Sequence, residues 1–202
     1  MKRIIKLAII CVSIVGLAIV SVHAFQSNNS DKISTTRPSN WAEPITLAGV
    51  PNLHKVTDNL YRSAQPTAEG MANLAELGIK TVINLRDNHS DKDEIGDLPL
   101  NARRIEIFTA NMKDVYVEEF LSIVNDTSAV PVLVHCLHGA DRTGTMCAMY
   151  RILCQGWSPD DAINEMENGE YEYHSIWSNI PRFIHESTKR LEAKKRSKKK
   201  KK

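Results

Sequence analysis

Val130-Pro131-Val132-Leu133-Val134-His135-Cys136-Leu137-His138-Gly139-Ala140-Asp141-Arg142-Thr143-Gly144 is the stretch that decides the fold. Its first five residues are apolar and mostly β-branched, the composition of a short buried strand. From Arg142 to Gln155 the residues have helical character, and Gly156 supplies a stop. A tight loop therefore joins a strand to the first turn of a helix, and it sets Cys136 and Arg142 at C-x5-R spacing. A helix N-terminus exposes unpaired backbone N–H groups and the positive end of the dipole, and a loop feeding it can turn further N–H groups inward to make an anion nest. Gly139 allows close backbone approach to a ligand. The Arg142 guanidinium can fork onto two oxygens of a tetrahedral anion. The same field favours a thiolate, since a free cysteine titrates at about 8.5 and such a setting lowers it by several units. Cys136 thus reads as a nucleophile at the base of a phosphate cradle built from Leu137, His138, Gly139, Ala140, Asp141 and Arg142.

The chemistry that fits is two in-line displacements. Cys136 attacks phosphorus, a thiophosphate forms, and water hydrolyses it, with Arg142 and the loop amides holding the equatorial oxygens. His135 is placed to orient the Cys136 region, and the Thr143 hydroxyl to donate a hydrogen bond to the departing sulfur.

His135, Cys136, Arg142 and Thr143 match the H-C-x5-R-[ST] signature, so the chain resembles the cysteine-based protein tyrosine phosphatase superfamily. Asn59-Leu60-Tyr61-Arg62-Ser63-Ala64-Gln65-Pro66 and Thr81-Val82-Ile83-Asn84-Leu85-Arg86 resemble segments of its atypical dual-specificity branch, which includes bacterial phosphatases and fungal and plant inositol-pyrophosphate phosphatases. The likeness spans roughly residues 50–190. It implies hydrolysis of phosphomonoesters on phosphotyrosine or phosphoserine/threonine proteins, or on phosphoinositides or inositol phosphates, with no cofactor. That branch usually takes its general acid from an aspartate some thirty residues before the cysteine. The corresponding stretch, Ile105 to Asp114, has no aspartate at that place, and Asp114 comes late enough to begin a helix. The loop itself carries Asp141 beside Arg142, as in superfamily members such as myotubularins, and Asp141 is the expected proton donor; the alternative is a helix cap. The rival functional readings are a phosphatase-like module that binds phosphate without turnover, and a rhodanese-like sulfurtransferase.

Strands and helices alternate elsewhere. Strands are expected at Val56 to Tyr61, Lys80 to Leu85, Arg103 to Phe108 and Val130 to Val134, and helices after Thr67, over Val115 to Val124, from Arg142, after Ser158, and from Ser178 to Glu192 with a break near Pro181. This is an α/β fold, a mostly parallel central sheet flanked by helices. The charged stretch Asp87 to Asp97 is either a surface loop beside the site or merely a solvated connection, and its many charges and turn residues favour the latter. Arg62 and Arg86 either widen the phosphate site or brace loops through carboxylates. His138 either lines the pocket mouth or projects into solvent. Trp157, Tyr171, Tyr173 and Trp177 read as packing residues.

Lys2, Arg3 and Lys6, the apolar run Leu7 to Val20 and the small residues before Ala24 read as a signal peptide or N-terminal anchor over 1–24. Residues 25–49 read as a linker, 50–193 as the catalytic domain and 194–202 as a basic disordered tail. The expected location is the periplasm or cell exterior, free or tethered to the inner membrane. Between residues 25 and 193 there are fifteen basic and 24 acidic residues, so phosphate attraction must come from the local loop and not from the net charge. That balance argues against specific nucleic-acid binding, while the lysine-rich tail suits contact with an anionic surface. Of four cysteines, Cys11 lies in the leader; Cys147 and Cys154, about 10 Å apart along one helix, are too far apart to pair and read as core residues. No cysteine pair or histidine cluster has metal-ligand spacing, so no metal is expected. Nothing in the chain sets the oligomeric state.

Overall fold

The structure, a computed structural model, describes residues 37–200; the expected leader and residues 25–36 of the expected linker lie outside the described residues. Six strands form one mixed sheet in the order β1-β2-β3-β6-β4-β5. They are β1 (Glu43–Pro44), β2 (His54–Thr57), β3 (Leu60–Ser63), β4 (Thr81–Arg86), β5 (Asn101–Ile107) and β6 (Val132–His135). β1, β2 and β3 pair antiparallel, while β3, β6, β4 and β5 run parallel. The helices are α1 (Ala68–Glu76), α2 (Lys92–Ile95), α3 (Asp114–Val124), α4 (Asp141–Gln155), α5 (Pro159–Asn168) and α6 (Asn179–Lys199).

Alternation along β6 explains the two-sided core. Leu133 points to the layer of α1 and α2 with Val50, Met71, Leu74, Val82 and Ile95. Val132, Val134 and Cys136 point to the layer built by α3, α4, α5 and α6 with Ile83, Phe120, Met146 and Ile184. With period two, His135 falls on the α1/α2 side and the nucleophile position on the other. Register puts Ser63 and Asn84 beside His135. The loops after β3, β4 and β6 therefore leave the sheet together at its carboxyl edge, where open parallel sheets place their ligands.

The local signals act as sequence chemistry requires. Thr67 caps α1 by accepting a hydrogen bond from the Gly70 amide at 3.1 Å, and Ser158 caps α5 through the Asp161 amide at 3.1 Å. Gly156 closes α4 in the left-handed region at φ 76°.

Several expectations change. The single early strand is a hairpin, because Asp58 and Asn59 turn the chain between β2 and β3. The linker ends by Arg37: the Arg37 guanidinium donates to the Gly169 carbonyl, the Ala42 amide donates to Glu165, and Ala42 is buried. α6 passes through Pro181 unbroken, since a proline in the first turn removes no intrahelical hydrogen bond. The basic tail is not separate either: α6 continues to Lys199, with Lys194 paired to Glu118 at 2.5 Å. Cys147 is buried, which pushes its thiol up to about 11, but Cys154 is exposed beside Asn125. Among the described residues no helix is long and apolar enough to cross a membrane.

One buried ion pair ties α4, α5 and the segment around Ala42 together. Arg151 on α4 meets Glu165 on α5 through Nε–Oε2 at 2.7 Å and Nη2–Oε1 at 2.8 Å, and Arg151 stacks on Trp157. Glu165 also accepts from the Ala42 amide and the Tyr171 hydroxyl. Nearby, His54 packs edge-on to Tyr171 with ring centroids 4.7 Å apart. Burial, seconded by the Arg62 and Arg37 charges, lowers the His54 pKa from 6.5 to about 4. A histidine held neutral in the fold stabilises it above the unfolded value, and that stability is lost as pH falls from 6.5 toward about 4. His54→Gln should therefore flatten the decline in the urea midpoint between pH 7 and pH 4.5; an unchanged slope would remove His54 as its source.

Candidate active site

Three loop carbonyls in succession are held from outside. The Gln65 amide donates to the Leu137 carbonyl at 3.2 Å, Asn52 Nδ2 to the His138 carbonyl at 2.9 Å, and Arg62 Nη2 to the Gly139 carbonyl at 2.6 Å. Each carbonyl is antiparallel to the N–H of the next residue across a planar peptide. Pulling these oxygens outward therefore turns the amides of His138, Gly139 and Ala140 toward the loop's inside. The loop is an anion nest that runs directly into the N-terminus of α4. Gly139 has φ +74°, and a Cβ there would stand 2.6 Å from the Ser63 carbonyl oxygen and the Ala64 nitrogen. Any other residue would push the loop off β3.

Arg62 carries much of this load. It is fully buried, its guanidinium lies 3.6 Å from the Tyr171 ring centroid, and its Nε has no hydrogen-bond partner. It braces the loop through a carbonyl and an aromatic face, without the carboxylate that a bracing arginine was expected to use. Arg86 likewise holds Gln65, donating from Nη1 to Oε1 at 3.0 Å.

Cys136 is buried at the base of the loop and is a free thiol. Arg142, on the first turn of α4, reaches Asp87 Oδ1 at 3.2 Å and the Ile107 carbonyl at 3.3 Å through Nη1. His135 is fully buried, with Nδ1 3.3 Å from the Cys136 carbonyl and Nε2 2.8 Å from Asp91 Oδ2. Burial alone would raise the Asp91 carboxyl; hydrogen bonds from His135 and Gln65 and the His135 and His89 charges outweigh it and hold the group below the usual carboxylate range. The connection from Asp87 to Asp97 is thus part of the site and not merely solvated, because both of its aspartates at the β4 end turn back toward the loop. The Thr143 hydroxyl is buried without a hydrogen-bond partner.

Asp141 is buried, and both its oxygens face one residue: Oδ1 accepts the His174 amide at 3.0 Å and Oδ2 lies 2.9 Å from His174 Nδ1. It sits at the first position of α4 without making a side-chain cap. Asp114 begins α3 and is held by Arg190 at 2.7 and 2.8 Å; the Arg190 hydrogen bond keeps its carboxyl low despite partial burial. The Leu137 and His138 side chains are exposed, and the His138 ring lies 5.3 Å from that of His174. Among the described residues, His89, Asp91 and Glu94 alone bring three ligand-type atoms within 4.8 Å of one another, on the same β4–α2 connection. Asn52, Asp87, Asp91 and His174 carry no motif of their own and are separated in sequence from the loop residues they hold.

Comparison with known proteins agrees with this geometry. Residues 39–180 match the family model described as DSP-PTPase phosphatase fused to NAD+ kinase. The chain is similar to the dual specificity protein phosphatase TpbA of Pseudomonas aeruginosa, 35% identical over 143 residues that make up 68% of this chain and 62% of that protein. It is similar at 25% identity over 137 residues, 63% of this chain and 67% of that protein, to the inositol diphosphatase DSP2 of Oryza sativa subsp. japonica. The crystal structure of P. aeruginosa TpbA superposes with a TM-score of 0.66 at 31% identity, covering 74% of this chain and 92% of that one. The chain spans about three fifths of the length of the TpbA proteins it matches. With the nest, the buried cysteine and the sheet order in hand, the chain belongs to the dual-specificity phosphatase family, in the atypical branch of the cysteine-based protein tyrosine phosphatase superfamily.

Proposed function

We propose that the protein is a cysteine-dependent phosphomonoesterase acting on phosphorylated protein, phosphotyrosine foremost. The observation that carries the reading is the set of three carbonyls pulled outward around Cys136, which leaves consecutive amides and the α4 N-terminus facing one anion site. Cys136 Sγ attacks phosphorus in line with the leaving oxygen, and a cysteinyl phosphate forms. The amides and the Arg142 guanidinium balance charge on the equatorial oxygens. Asp87 and the Ile107 carbonyl hold that guanidinium in place. The leaving oxygen draws its proton from the Asp141–His174 pair, since the stretch between β5 and α3 offers no carboxylic acid before Asp114. Water then attacks phosphorus and releases phosphate, and the unpartnered Thr143 hydroxyl stabilises the departing thiolate.

The choice of an aryl phosphate on protein rests on the rim. Phe108, Leu137 and Ile176 are exposed apolar side chains, each on a loop tied to the site. The Ile107 carbonyl is on Arg142, and Asn179 joins the Ile176 loop to the Thr109 carbonyl. Such a rim suits an aromatic ring and flanking side chains better than an inositol polyphosphate, which is polar all round. The TpbA structure with a cysteine-to-serine change is in complex with pTyr, at 31% identity to this chain. The intact thiol and arginine speak against a purely binding module. Export to the periplasm or cell exterior is part of the proposal and rests on the N-terminal run Leu7 to Val20; fractionation of expressing cells tests it.

Three outcomes are expected. Phosphate release from phosphotyrosine peptides should exceed that from inositol polyphosphates; the reverse order would reassign the substrate. Cys136→Ser should abolish release yet still bind phosphotyrosine by calorimetry, because the amides and Arg142 remain; retained turnover would remove Cys136 as nucleophile. Asp141→Asn should slow alkyl phosphates by about 100-fold or more, the scale of a lost general acid, and aryl phosphates far less; equal losses would make Asp141 structural.

A further inference from the structure

We propose that His174 is the group that carries the proton, and that Asp141 and His174 form an acid–base dyad replacing the aspartate missing from the β5–α3 loop. The inference rests on the phosphatase reading above and goes beyond it by naming a catalytic residue outside the signature loop. Asp141 grips His174 twice, at the backbone amide (3.0 Å) and at Nδ1 (2.9 Å). A carboxylate with both oxygens so occupied, and a side chain only 11% exposed, is poorly placed to reach a substrate itself. The imidazole is 44% exposed and lies at the loop's mouth, with its ring edge-on to that of His138. The hydrogen bond at Nδ1 fixes the tautomer and leaves Nε2 to hold the mobile proton, as in any carboxylate–histidine pair.

The backbone delivers His174 at some cost. Glu170 and Glu172 both sit in the left-handed region, at φ 62° and 64°, where non-glycine residues are strained. Between them Tyr171 is locked by Glu165 through its hydroxyl and by Asn52 through its carbonyl. The two strained residues turn the chain so that Tyr171 enters the core under Arg62 and His174 comes out beside Asp141.

In the first step the Cys136 sulfur–phosphorus bond forms and the bond from phosphorus to the leaving oxygen breaks. His174 Nε2–H gives its proton to that oxygen, and neutral imidazole stays hydrogen-bonded to Asp141. In the second step neutral His174 takes a proton from the attacking water, the sulfur–phosphorus bond breaks, phosphate leaves, and the imidazolium is restored.

The test is leaving-group dependence in the full chain. His174→Ala should lower kcat/KM for phosphoserine peptide by about 100-fold or more, while p-nitrophenyl phosphate, whose leaving group needs little protonation, should lose less than about tenfold. Added imidazole should restore part of the phosphoserine rate. His174→Gln, which still donates to Asp141 but carries no transferable proton, should behave like His174→Ala. Unchanged phosphoserine turnover in either variant would overturn the proposal and leave Asp141 as the acid. Equal losses on both substrates without imidazole rescue would also overturn it and make His174 a packing residue. Retained p-nitrophenyl phosphate turnover in Cys136→Ser would instead sink the underlying phosphatase reading, so the two failures are distinguishable.

Discussion

The active loop depends on a single buried cation. Arg62 leaves β3, passes over the Tyr171 ring and ends on the Gly139 carbonyl. An unpaired guanidinium in such a place is costly, and here the aromatic face and the carbonyl dipole offset desolvation without neutralising the charge. Residual positive potential therefore lies directly beneath an anion nest. Lysine could not replace it, because the planar group must stack and donate at once. The Tyr171 hydroxyl reaches Glu165, Glu165 reaches Arg151, and the chain of contacts ends in the β2 carbonyl of Val56. Loop shape, α4–α5 packing and the entry of the chain at Arg37 are thus one connected polar network. Burial raises the Tyr171 phenol strongly, which keeps the hydroxyl a donor over the physiological range.

A second network stands on the opposite face of β6. His135 and Asp91 are both buried, and Asp91 gathers Asn84, Gln65 and His135 around one carboxylate. The Cys136 position thus receives the end of a strand whose two faces are fastened separately, to Asp91 on one side and to the α3–α6 core on the other. A thiol on such a rigid base needs little reorganisation during attack, which is what preorganised electrostatic catalysis asks of its scaffold. The proposed proton donor, His174, lies by contrast on an irregular segment between α5 and α6, anchored through Asp141 at the start of α4. Rigid nucleophile and loop-borne acid are a common division of labour in enzymes whose loops vary on a fixed sheet.

The sequence by itself determined a good deal. The apolar run before Cys136, the C-x5-R spacing and the helical residues after Arg142 specify strand, nest and helix, because a tight turn between those two elements has few solutions. Thr67, Gly156 and Ser158 act locally, so the ends of α1, α4 and α5 were legible. Short apolar, β-branched runs make β4 and β6 readable as buried strands. What tertiary structure alone decided are the partners across long separations: Arg62 on Gly139, Asp91 on His135, Asp87 on Arg142 and His174 on Asp141. Asp87 to Asp97 reads as a solvated loop because nothing local marks Asp87 and Asp91 from its other charges; these two are satisfied by residues 55 and 44 positions away. Local physics fixes a backbone turn within a few residues, whereas the partner of a buried charge is set by which strands lie side by side. Here that is the parallel placement of β3, β6 and β4.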